Sequence, residues 1–251
     1  MKQNTILQIN DLSFSYQKGK HTKSEELVLE HINLSVSQGE TVGIIGSNGV
    51  GKSTLLKLLV GIEPVKQGSI QMMGEEVTQK NLPKIRQTAG YVFQDSESQL
   101  FMSTIYEDVA FAPVNYGLKE EEVRRRTMDA LDKVKITHLA GKRIYQLSGG
   151  EKKLASIASV LSMQPEILLM DEPSVALDPQ NRRNLIHILN EIPMTKILAS
   201  HDLDFIYDTC DRTIILHQGI IVKDGNTKEI LKDKQLLEQY GLELPLSFSR
   251  M

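Results

Sequence analysis

The fold of this chain can be predicted from one segment, Gly46-Ser47-Asn48-Gly49-Val50-Gly51-Lys52-Ser53-Thr54. It matches the pattern of a glycine, any four residues, and then Gly-Lys-Ser/Thr. An apolar run, residues 41–45, precedes the segment, and an apolar run without glycine, residues 55–60, follows it. This context predicts a buried strand, a tight loop and then a helix.

Such a loop binds phosphate, because glycines let the backbone approach an anion and consecutive N–H groups form a nest for its oxygens. The helix N-terminus adds further donors. Lys52 is predicted to reach the β and γ phosphates, and the Ser53 hydroxyl to bind Mg²⁺. The alternative is a glycine-rich turn that begins a helix and binds nothing, but the complete pattern favours a nucleoside triphosphate. The predicted binding residues are Gly46, Ser47, Asn48, Gly49, Val50, Gly51, Lys52, Ser53 and Thr54.

Size and composition are those of a globular protein. The chain has 251 residues and a net charge of -3 with both signs interspersed, so no basic field points to nucleic acid as a partner. Its single cysteine, Cys210, excludes an internal disulfide. Residues 1–10 show no signal-peptide pattern, and no apolar run approaches the roughly 20 residues that span a bilayer. We expect a protein that is cytosolic or held at a membrane by a partner.

Strand-like and helix-like segments alternate along the chain, which predicts an α/β fold with a mainly parallel central sheet. Residues 6–16 and 28–36 predict a small antiparallel β subdomain with the first strand at its edge. Between them, the polar residues 17–26 predict a loop. Residues 213–223 predict a hairpin that turns at Gln218-Gly219, and residues 227–240 hold two short helical patterns. The predicted organisation is a single cassette, residues 1–251, with a core of residues 1–103 and 164–226, an inserted helical subdomain of about residues 104–163, and a tail of residues 227–251.

Two acidic residues end an apolar strand, Ile167-Leu168-Leu169-Met170-Asp171-Glu172. If that strand lies beside the strand that enters the phosphate loop, Asp171 reaches the Mg²⁺ shell and Glu172 lies beside the γ phosphate. Glu172 is then placed to polarise the attacking water as a general base. Without a phosphate loop, two acids before Pro173 would be expected only to cap a turn.

Three further side chains follow predicted strands. Because the carboxyl ends of parallel strands share one crevice, His201 and Gln94 are predicted to lie near the γ phosphate. Gln94 can also bind Mg²⁺ through its amide oxygen. Tyr16 is predicted to stack on the purine ring, although a core tyrosine suits its position nearly as well. A lone histidine at a strand end is usually structural, so the prediction for His201 depends on the phosphate loop.

A second helix start that can bind an anion is predicted at Leu147-Ser148-Gly149-Gly150-Glu151. Two such sites on opposite lobes of one small domain cannot serve the same phosphate. In a two-fold dimer, the Ser-Gly-Gly helix of each subunit can close over the nucleotide that the other subunit holds. Ser148, Gly149 and Gly150 are therefore predicted to bind a nucleotide on a second subunit.

Together these motifs resemble those of ABC-type ATPases. Their order is the phosphate loop, Gln94, the Leu-Ser-Gly-Gly signature, the acidic strand, Ala176-Leu177-Asp178 and Ser200-His201, and it covers nearly the whole chain. The resemblance implies the P-loop ABC ATPase fold, ATP and Mg²⁺ as ligands, and a head-to-tail dimer that sandwiches ATP. Closure and reopening of that dimer would drive a membrane partner.

The resemblance also implies a role for each site residue. Tyr16 stacks on adenine, Gln94 belongs to the coupling loop, Asp178 marks a turn at the dimer interface, and His201 senses the γ phosphate. Ser148, Gly149 and Gly150 donate to the ATP of the opposite subunit. The predicted catalytic residues are Lys52, Gln94, Glu172 and His201, and the predicted Mg²⁺ ligands are Ser53, Gln94 and Asp171.

A narrower resemblance lies in Phe93-Gln94-Asp95-Ser96-Glu97-Ser98-Gln99-Leu100-Phe101, followed by Thr104 and by Glu107-Asp108-Val109-Ala110-Phe111. This pattern is similar to the ATPases of energy-coupling-factor (ECF) importers, in which the segment docks helices of a transmembrane scaffold. It implies that residues 94–101 contact such a scaffold at the cytoplasmic face of the cell membrane. The ATPase dimer would consist of two copies, or of this chain and a paralogue.

The cargo is predicted from the chain's ending. Tyr240-Gly241-Leu242-Glu243-Leu244-Pro245 looks most like the cobalt/nickel branch (CbiO type), and a vitamin importer is the alternative. A soluble ABC ATPase acting on ribosomes or DNA is a further alternative, but such proteins usually carry two cassettes, coiled-coil insertions or arms. A P-loop kinase would leave the Leu-Ser-Gly-Gly helix unexplained.

Two residues depart from the ABC pattern. Glu151 stands where glutamine is most frequent, and Leu154 stands where a basic residue is frequent. A carboxylate near a phosphate is expected to weaken closure without preventing activity, since ECF relatives often carry glutamate there. Leu154 removes a positive charge that would steady the signature helix.

Replacing Lys52 with alanine should lower the affinity for ATP by at least about tenfold. The physical reason is that the phosphates lose their main counter-charge in a partly desolvated loop. Titration calorimetry measures the dissociation constant directly. An unchanged constant would contradict the role assigned to Lys52.

Overall fold

The computed structural model describes residues 4–16 and 27–248. The chain divides into two compact units. The first consists of Met1–Arg86 and Met194–Met251, and the second of Gln87–Pro193. None of the described helices is long and apolar enough to cross a membrane.

The described part of the chain forms strands and helices in mixed order. The strands are β1 (Thr5–Phe14), β2 (Leu29–Ser37), β3 (Thr41–Ile45), β4 (Gln67–Met72), β5 (Glu75–Glu76), β6 (Ala89–Val92), β7 (Ile167–Asp171), β8 (Thr195–Ala199), β9 (Arg212–His217) and β10 (Ile220–Asn226). The helices are α1 (Lys52–Leu59), α2 (Leu82–Thr88), α3 (Ile105–Asn115), α4 (Glu120–Lys133), α5 (Gly149–Leu161), α6 (Pro179–Glu191), α7 (Leu203–Thr209), α8 (Thr227–Ile230) and α9 (Lys234–Gln239). Short 3₁₀ turns span Thr137–Leu139 and Ile144–Gln146.

A small antiparallel sheet in the first unit has the strand order β2-β1-β4-β5. Apolar side chains of β1, among them Leu7, Ile9 and Leu12, are fully buried. β1 pairs with β2 on one side and with β4 on the other, so the prediction of an edge strand was wrong. An apolar pattern identifies the buried face of a strand but says nothing about how many neighbours it has. The predicted loop, residues 17–26, lies outside the described residues.

The first unit also holds a mixed sheet with β10, β9, β3 and β8 in that order. β3 is parallel to both β8 and β9, and all five of its residues are buried. Because β8 and β9 are its two neighbours, the condition set for Asp171 and Glu172, that their strand lies beside β3, is not met. β10 is antiparallel to β9, as the hairpin predicted at Gln218-Gly219 requires. Ile44 of β3 lies opposite Ala199 of β8. The carboxyl ends of these two parallel strands therefore meet at one edge of the sheet.

The second unit pairs β6 with β7 in parallel and packs α3, α4 and α5 against one another. α5 also packs on β6. The predicted helical subdomain, residues 104–163, contains these three helices, whereas the compact unit includes the two strands and α6 as well. The finer division into core and inserted subdomain stays a prediction. The predicted α/β class, with mainly parallel strands and a small antiparallel subdomain, is confirmed.

The chain after β10 packs within the first unit. Leu231 and Leu237, from the two short helical segments predicted in the tail, are fully buried. Farther on, the N–H groups of Leu246 and Ser247 donate to the Asp204 carboxylate at 2.8 and 3.2 Å. That acid lies in α7, a seven-residue helix that the sequence analysis did not predict.

A methyl group added at Gly90 should destabilise the second unit. Gly90 lies in β6, where a Cβ atom would come within 2.2 Å of Val160 Cγ1 and 3.1 Å of Pro165 Cγ. Overpacking of this kind typically costs about 1–3 kcal/mol, so Gly90→Ala should lower the urea midpoint of unfolding. Gly141→Ala is the matched control, because nothing lies within 4 Å of a Cβ atom there. Equal midpoints for the two variants would show that the close packing at Gly90 does not matter.

Candidate nucleotide-binding site

The phosphate loop follows a backbone course that its glycines permit. It leaves the buried strand β3 and enters α1 at Gly51, whose φ is 106°. A Cβ atom on Gly51 would lie 2.7 Å from Leu29 Cδ2 and 2.9 Å from the Val28 carbonyl oxygen. On Gly46, it would lie 2.2 Å from the carbonyl oxygen of Leu216. A side chain at either position would push the loop away from the strands that hold it.

Lys52, the first residue of α1, is 6% exposed and folds back over the loop. Its Nζ donates hydrogen bonds to the carbonyl oxygens of Gly46 (2.7 Å) and Ser47 (3.2 Å). The first turn of α1 contains no acidic residue, and Ser47, Asn48 and Gly49 are exposed. An open loop at a helix N-terminus, with a buried ammonium group beside it, suits the phosphates of ATP.

Tyr16 stands next to the same helix. Its hydroxyl lies 3.0 Å from Thr54 Oγ1, and its ring meets the Phe14 ring edge-on at 4.9 Å. Tyr16 is 41% exposed, which excludes the alternative of a core tyrosine. An anchored hydroxyl and an accessible ring are suited to stacking on a base. Adenine stacking by Tyr16 stays a prediction.

His201 lies at the same sheet edge as the start of the phosphate loop. The N–H of Ser200 donates to the carbonyl oxygen of Ile44 at 3.1 Å, which continues the β3–β8 register beyond the end of β8. His201 follows directly and is exposed. The first unit thus brings His201 and Gly46 to one edge, as the parallel-strand argument predicts. The contact with a γ phosphate stays a prediction.

Asp171 and Glu172 at the end of β7 are both buried, at 4% and 5% exposure. The hydroxyl of Tyr91 donates to Asp171 Oδ2 at 3.2 Å, which orients that carboxylate. Glu172 has a φ of 45°, in the left-handed region. Non-glycine residues in sparsely populated regions carry a cost of order 1–3 kcal/mol and cluster at functional sites. Residues with no predicted role in the site, such as Met73 and Gln164, also have a positive φ, so the role of Glu172 as general base stays a prediction.

Gln94 lies in the second unit, at the same strand edge as the acids. β6 and β7 are parallel, with Val92 opposite Met170, so the residues after both strands emerge together. Gln94 is exposed and lies outside helix and strand. Its main-chain carbonyl oxygen accepts a hydrogen bond from Lys153 Nζ at 2.8 Å. The backbone of Gln94 is held while its side chain is accessible.

The predicted Mg²⁺ ligands are Ser53, Gln94 and Asp171. Among the described residues, no group of three or more histidine, cysteine or acidic side chains could hold a metal ion. Mg²⁺ needs no such group, because it usually keeps several waters and binds one or two carboxylates together with substrate phosphates. A hydroxyl, an amide oxygen and one oriented carboxylate fit that chemistry. Ser53 belongs to the first unit and the other two residues to the second, and their joint role stays a prediction.

Ser148 is the N-cap of α5 and forms a capping box with Glu151. The N–H of Ser148 donates to Glu151 Oε2 at 2.8 Å, and the N–H of Glu151 donates to Ser148 Oγ at 3.3 Å. The first of these bonds contributes most to lowering the pKa of Glu151, and Lys142, 3.4 Å away, adds to the effect. Glutamate and glutamine can both complete this capping box, and the carboxylate adds the ion pair with Lys142.

Asp178 is the N-cap of α6. Its carboxylate accepts from the N–H groups of Asn181 (2.9 Å) and Gln180 (2.8 Å) and from Asn181 Nδ2 (2.6 Å). These bonds, that from the Asn181 N–H most of all, lower the pKa of Asp178. The Asn181 side chain also fills the space over Gly150, with Nδ2 2.4 Å from the position of a Cβ atom there. The second unit thus brings Asp178 and the Ser-Gly-Gly helix start together, while a place at a dimer interface stays a prediction.

Lys153 is a residue that sequence reasoning missed. It is 3% exposed, and its Nζ donates to the carbonyl oxygens of Phe93 (3.1 Å) and Gln94 (2.8 Å). Burial lowers the pKa of Lys153 to about 8, against the opposing effects of Asp95 and Asp171. The available signal was a lysine at a position where helical spacing predicts a buried side chain.

Leu154 lines a cleft of about 200 Å³ in the second unit. Val134 and Ile188 add apolar walls, and the ion pair between Lys135 and Glu191, 3.1 Å, lies at the same cleft. Leucine in place of a basic residue at position 154 thus gives this cleft an apolar side chain. Its effect on the signature helix stays a prediction.

Comparisons with known proteins identify the family. The chain matches the family model described as ABC transporter over residues 29–175. A putative ABC transporter ATP-binding protein of Geobacter sulfurreducens is 44% identical over 242 residues, which are 96% of this chain and 95% of that protein. The energy-coupling factor transporter ATP-binding protein EcfA of Methanothermobacter thermautotrophicus is 40% identical over 245 residues, which are 96% of this chain and 77% of that protein.

Solved structures agree with the sequence comparisons. CbiO1 of Clostridium perfringens, part of the ABC transporter complex CbiONQ, has a TM-score of 0.83 at 35% identity, covering 94% of each chain. A dimeric ATP-binding cassette in a post-hydrolysis state with ADP and Pi has a TM-score of 0.78 at 25% identity, covering 88% of this chain and 98% of that one. The predicted ABC ATPase fold is confirmed. The chain therefore belongs to the ABC transporter family, as one of its ATP-binding and ATP-hydrolysing subunits.

Proposed function

We propose that this chain powers an ECF-type importer, to which it is bound at the cytoplasmic face of the membrane through a transmembrane scaffold. The observation that carries the proposal is an exposed aromatic pair. Phe101 is 64% exposed, and its ring meets that of Phe111 in α3, itself 40% exposed, edge-on at 4.8 Å. Large apolar side chains grouped on a surface mark interaction sites. The likeness to EcfA and CbiO1 supports the same class of protein.

The backbone at Phe101, one member of the aromatic pair, is fixed by hydrogen bonds to Asp108. Asp108 is buried, and its Oδ2 accepts hydrogen bonds from the N–H groups of Phe101 (2.9 Å) and Met102 (2.8 Å). Burial raises the pKa of Asp108, and these two bonds oppose that rise. An exposed ring on a fixed backbone loses little conformational freedom on binding. Residues 93–101, the docking segment, are therefore suited to a preformed contact with helices of the scaffold.

ATP drives the scaffold through a dimer of ATPase subunits. ATP on the phosphate loop of one subunit is enclosed by residues 148–150 of the other. Closure carries Gln94 and the docking segment with it, and hydrolysis reopens the pair. The second subunit is another copy of this chain or a paralogue.

In this proposal a few side chains have separate roles in ATP hydrolysis. Lys52 and the loop N–H groups bind the phosphates, Glu172 accepts a proton from the attacking water, and His201 donates a hydrogen bond to the γ phosphate. When bound, Mg²⁺ supplies positive charge at the β and γ phosphate oxygens. Its ligands in this proposal are Ser53, Gln94 and Asp171.

For the cargo we propose cobalt or nickel ions. Two observations support this cargo: the likeness to CbiO1 of the CbiONQ complex, and the sequence of residues 240–245, which resembles the cobalt/nickel branch. The assembled complex, reconstituted in vesicles, should take up one of these ions when ATP is hydrolysed. Uptake of a vitamin instead of a metal ion would contradict the proposed cargo. A soluble, ribosome-bound population of the protein would contradict the proposal that it serves an importer.

Replacing Phe101 with alanine should abolish co-purification with a multi-spanning membrane protein from detergent. The variant loses the most exposed ring of the docking segment, whereas its ATP affinity should stay unchanged because the phosphate loop lies in the other unit. Leu246→Ala is the matched control, since Leu246 is 75% exposed and lies outside that segment. If Phe101→Ala retains the membrane protein as well as the control does, the docking segment is not the contact.

Replacing Glu172 with glutamine should leave ATP binding intact, lower kcat by about 10²- to 10⁴-fold and trap a dimer. The amide keeps the shape of the side chain but cannot accept the proton. Phosphate release and gel filtration with ATP measure the two effects. Glu166→Gln, an exposed position at the other end of β7, is the control. Hydrolysis by Glu172→Gln at the rate of the control would exclude Glu172 as the base.

A further inference from the structure

One face of α5 is joined to the docking segment by polar contacts. Besides the two bonds from Lys153, Ser156 Oγ lies 3.4 Å from Ser96 Oγ. Gln99 Nε2 donates to the Ser156 carbonyl oxygen (2.7 Å) and to Ser159 Oγ (3.0 Å). Positions 153, 156 and 159 recur every three residues, so they share one side of the helix.

Lys153 differs from the other residues on this face because it carries a charge into a buried position. A buried ammonium group is costly unless it is hydrogen-bonded, and methionine would fill a similar volume without that cost. The ammonium instead binds two consecutive carbonyl oxygens, of Phe93 and Gln94, in a segment that has no helix or strand pattern of its own. Hydrogen bonds from a charged donor are stronger than those between neutral groups.

We propose that Lys153 is a positioning residue that fixes the backbone of Phe93 and Gln94 to α5, so that the Ser-Gly-Gly end of this helix and the docking segment move as one piece. Gln99 strengthens the link, because its Oε1 also accepts from the Phe93 N–H at 3.1 Å. The assignment of the two ends, nucleotide contact and scaffold contact, rests on the proposed function. Movement of the helix start over a nucleotide then reaches the scaffold through main-chain hydrogen bonds as well as through the Gln94 side chain.

Hydrogen exchange on the full-length protein tests the link without a membrane partner. Lys153→Met should accelerate amide exchange in residues 93–101 by about tenfold while leaving exchange in α1 unchanged. Lys153→Arg, which retains donors, should stay near the wild type. Lys133→Met, at an exposed position in the last turn of α4, is the control. Unchanged exchange in Lys153→Met, or equal acceleration in α1, would overturn the proposal.

Kinetics provide a second readout. Lys153→Met should lower kcat for ATP by about tenfold with KM unchanged, since Gln94 is displaced while the phosphate loop is intact. If Lys153→Met does not fold, Gln99→Leu replaces it, and the same local exchange and the same split between kcat and KM are expected. A rise in KM with normal kcat would overturn the positioning role. Retention of the membrane protein by Phe101→Ala would contradict only the proposed function. Unchanged exchange in Lys153→Met would contradict only the positioning role, so the two failures can be told apart.

Discussion

A buried ammonium group is costly unless it is hydrogen-bonded, and for two buried lysines, Lys52 and Lys153, the acceptors belong to the loops that form the candidate site. Lys52 binds the carbonyl oxygens of Gly46 and Ser47 just after β3. Lys153 binds the carbonyl oxygens of two consecutive residues just after β6. In both units, a lysine from a helix thus fixes the loop that follows a parallel strand. The cost of burying each charge is offset by the hydrogen bonds that hold the loop.

Helix capping is the second constraint on the site. Ser148 and Glu151 cap α5, and Asp178 caps α6, so residues predicted to act at a nucleotide or a dimer interface also hold helix starts in place. The capping box accepts glutamate or glutamine at position 151, and the carboxylate adds an ion pair with Lys142. Asn181 then joins the two helix starts by contacting both Asp178 and the space over Gly150.

Prediction from the sequence succeeded where a residue's role depends on its immediate neighbours in the chain. The phosphate loop, the hairpin at Gln218-Gly219 and the helix start at Ser148 are local patterns, and the structure has each of them. Prediction from the sequence failed for the strand pairing of β1 and for the short helix α7. β1 was assigned to an edge although β4 covers its other side, and α7 was missed because seven residues show too little periodicity.

The sequence by itself determined the family, the mainly parallel α/β class and the phosphate loop, because glycine spacing and apolar strands constrain the backbone locally. Only the tertiary structure decided which individual groups meet: the Tyr91 hydroxyl and the Asp171 carboxylate, and the Lys153 ammonium group and the Gln94 carbonyl oxygen. These contacts join residues far apart in the chain. Their existence depends on strand register and on the face that a helix turns inward, and neither is encoded in the spacing of a motif.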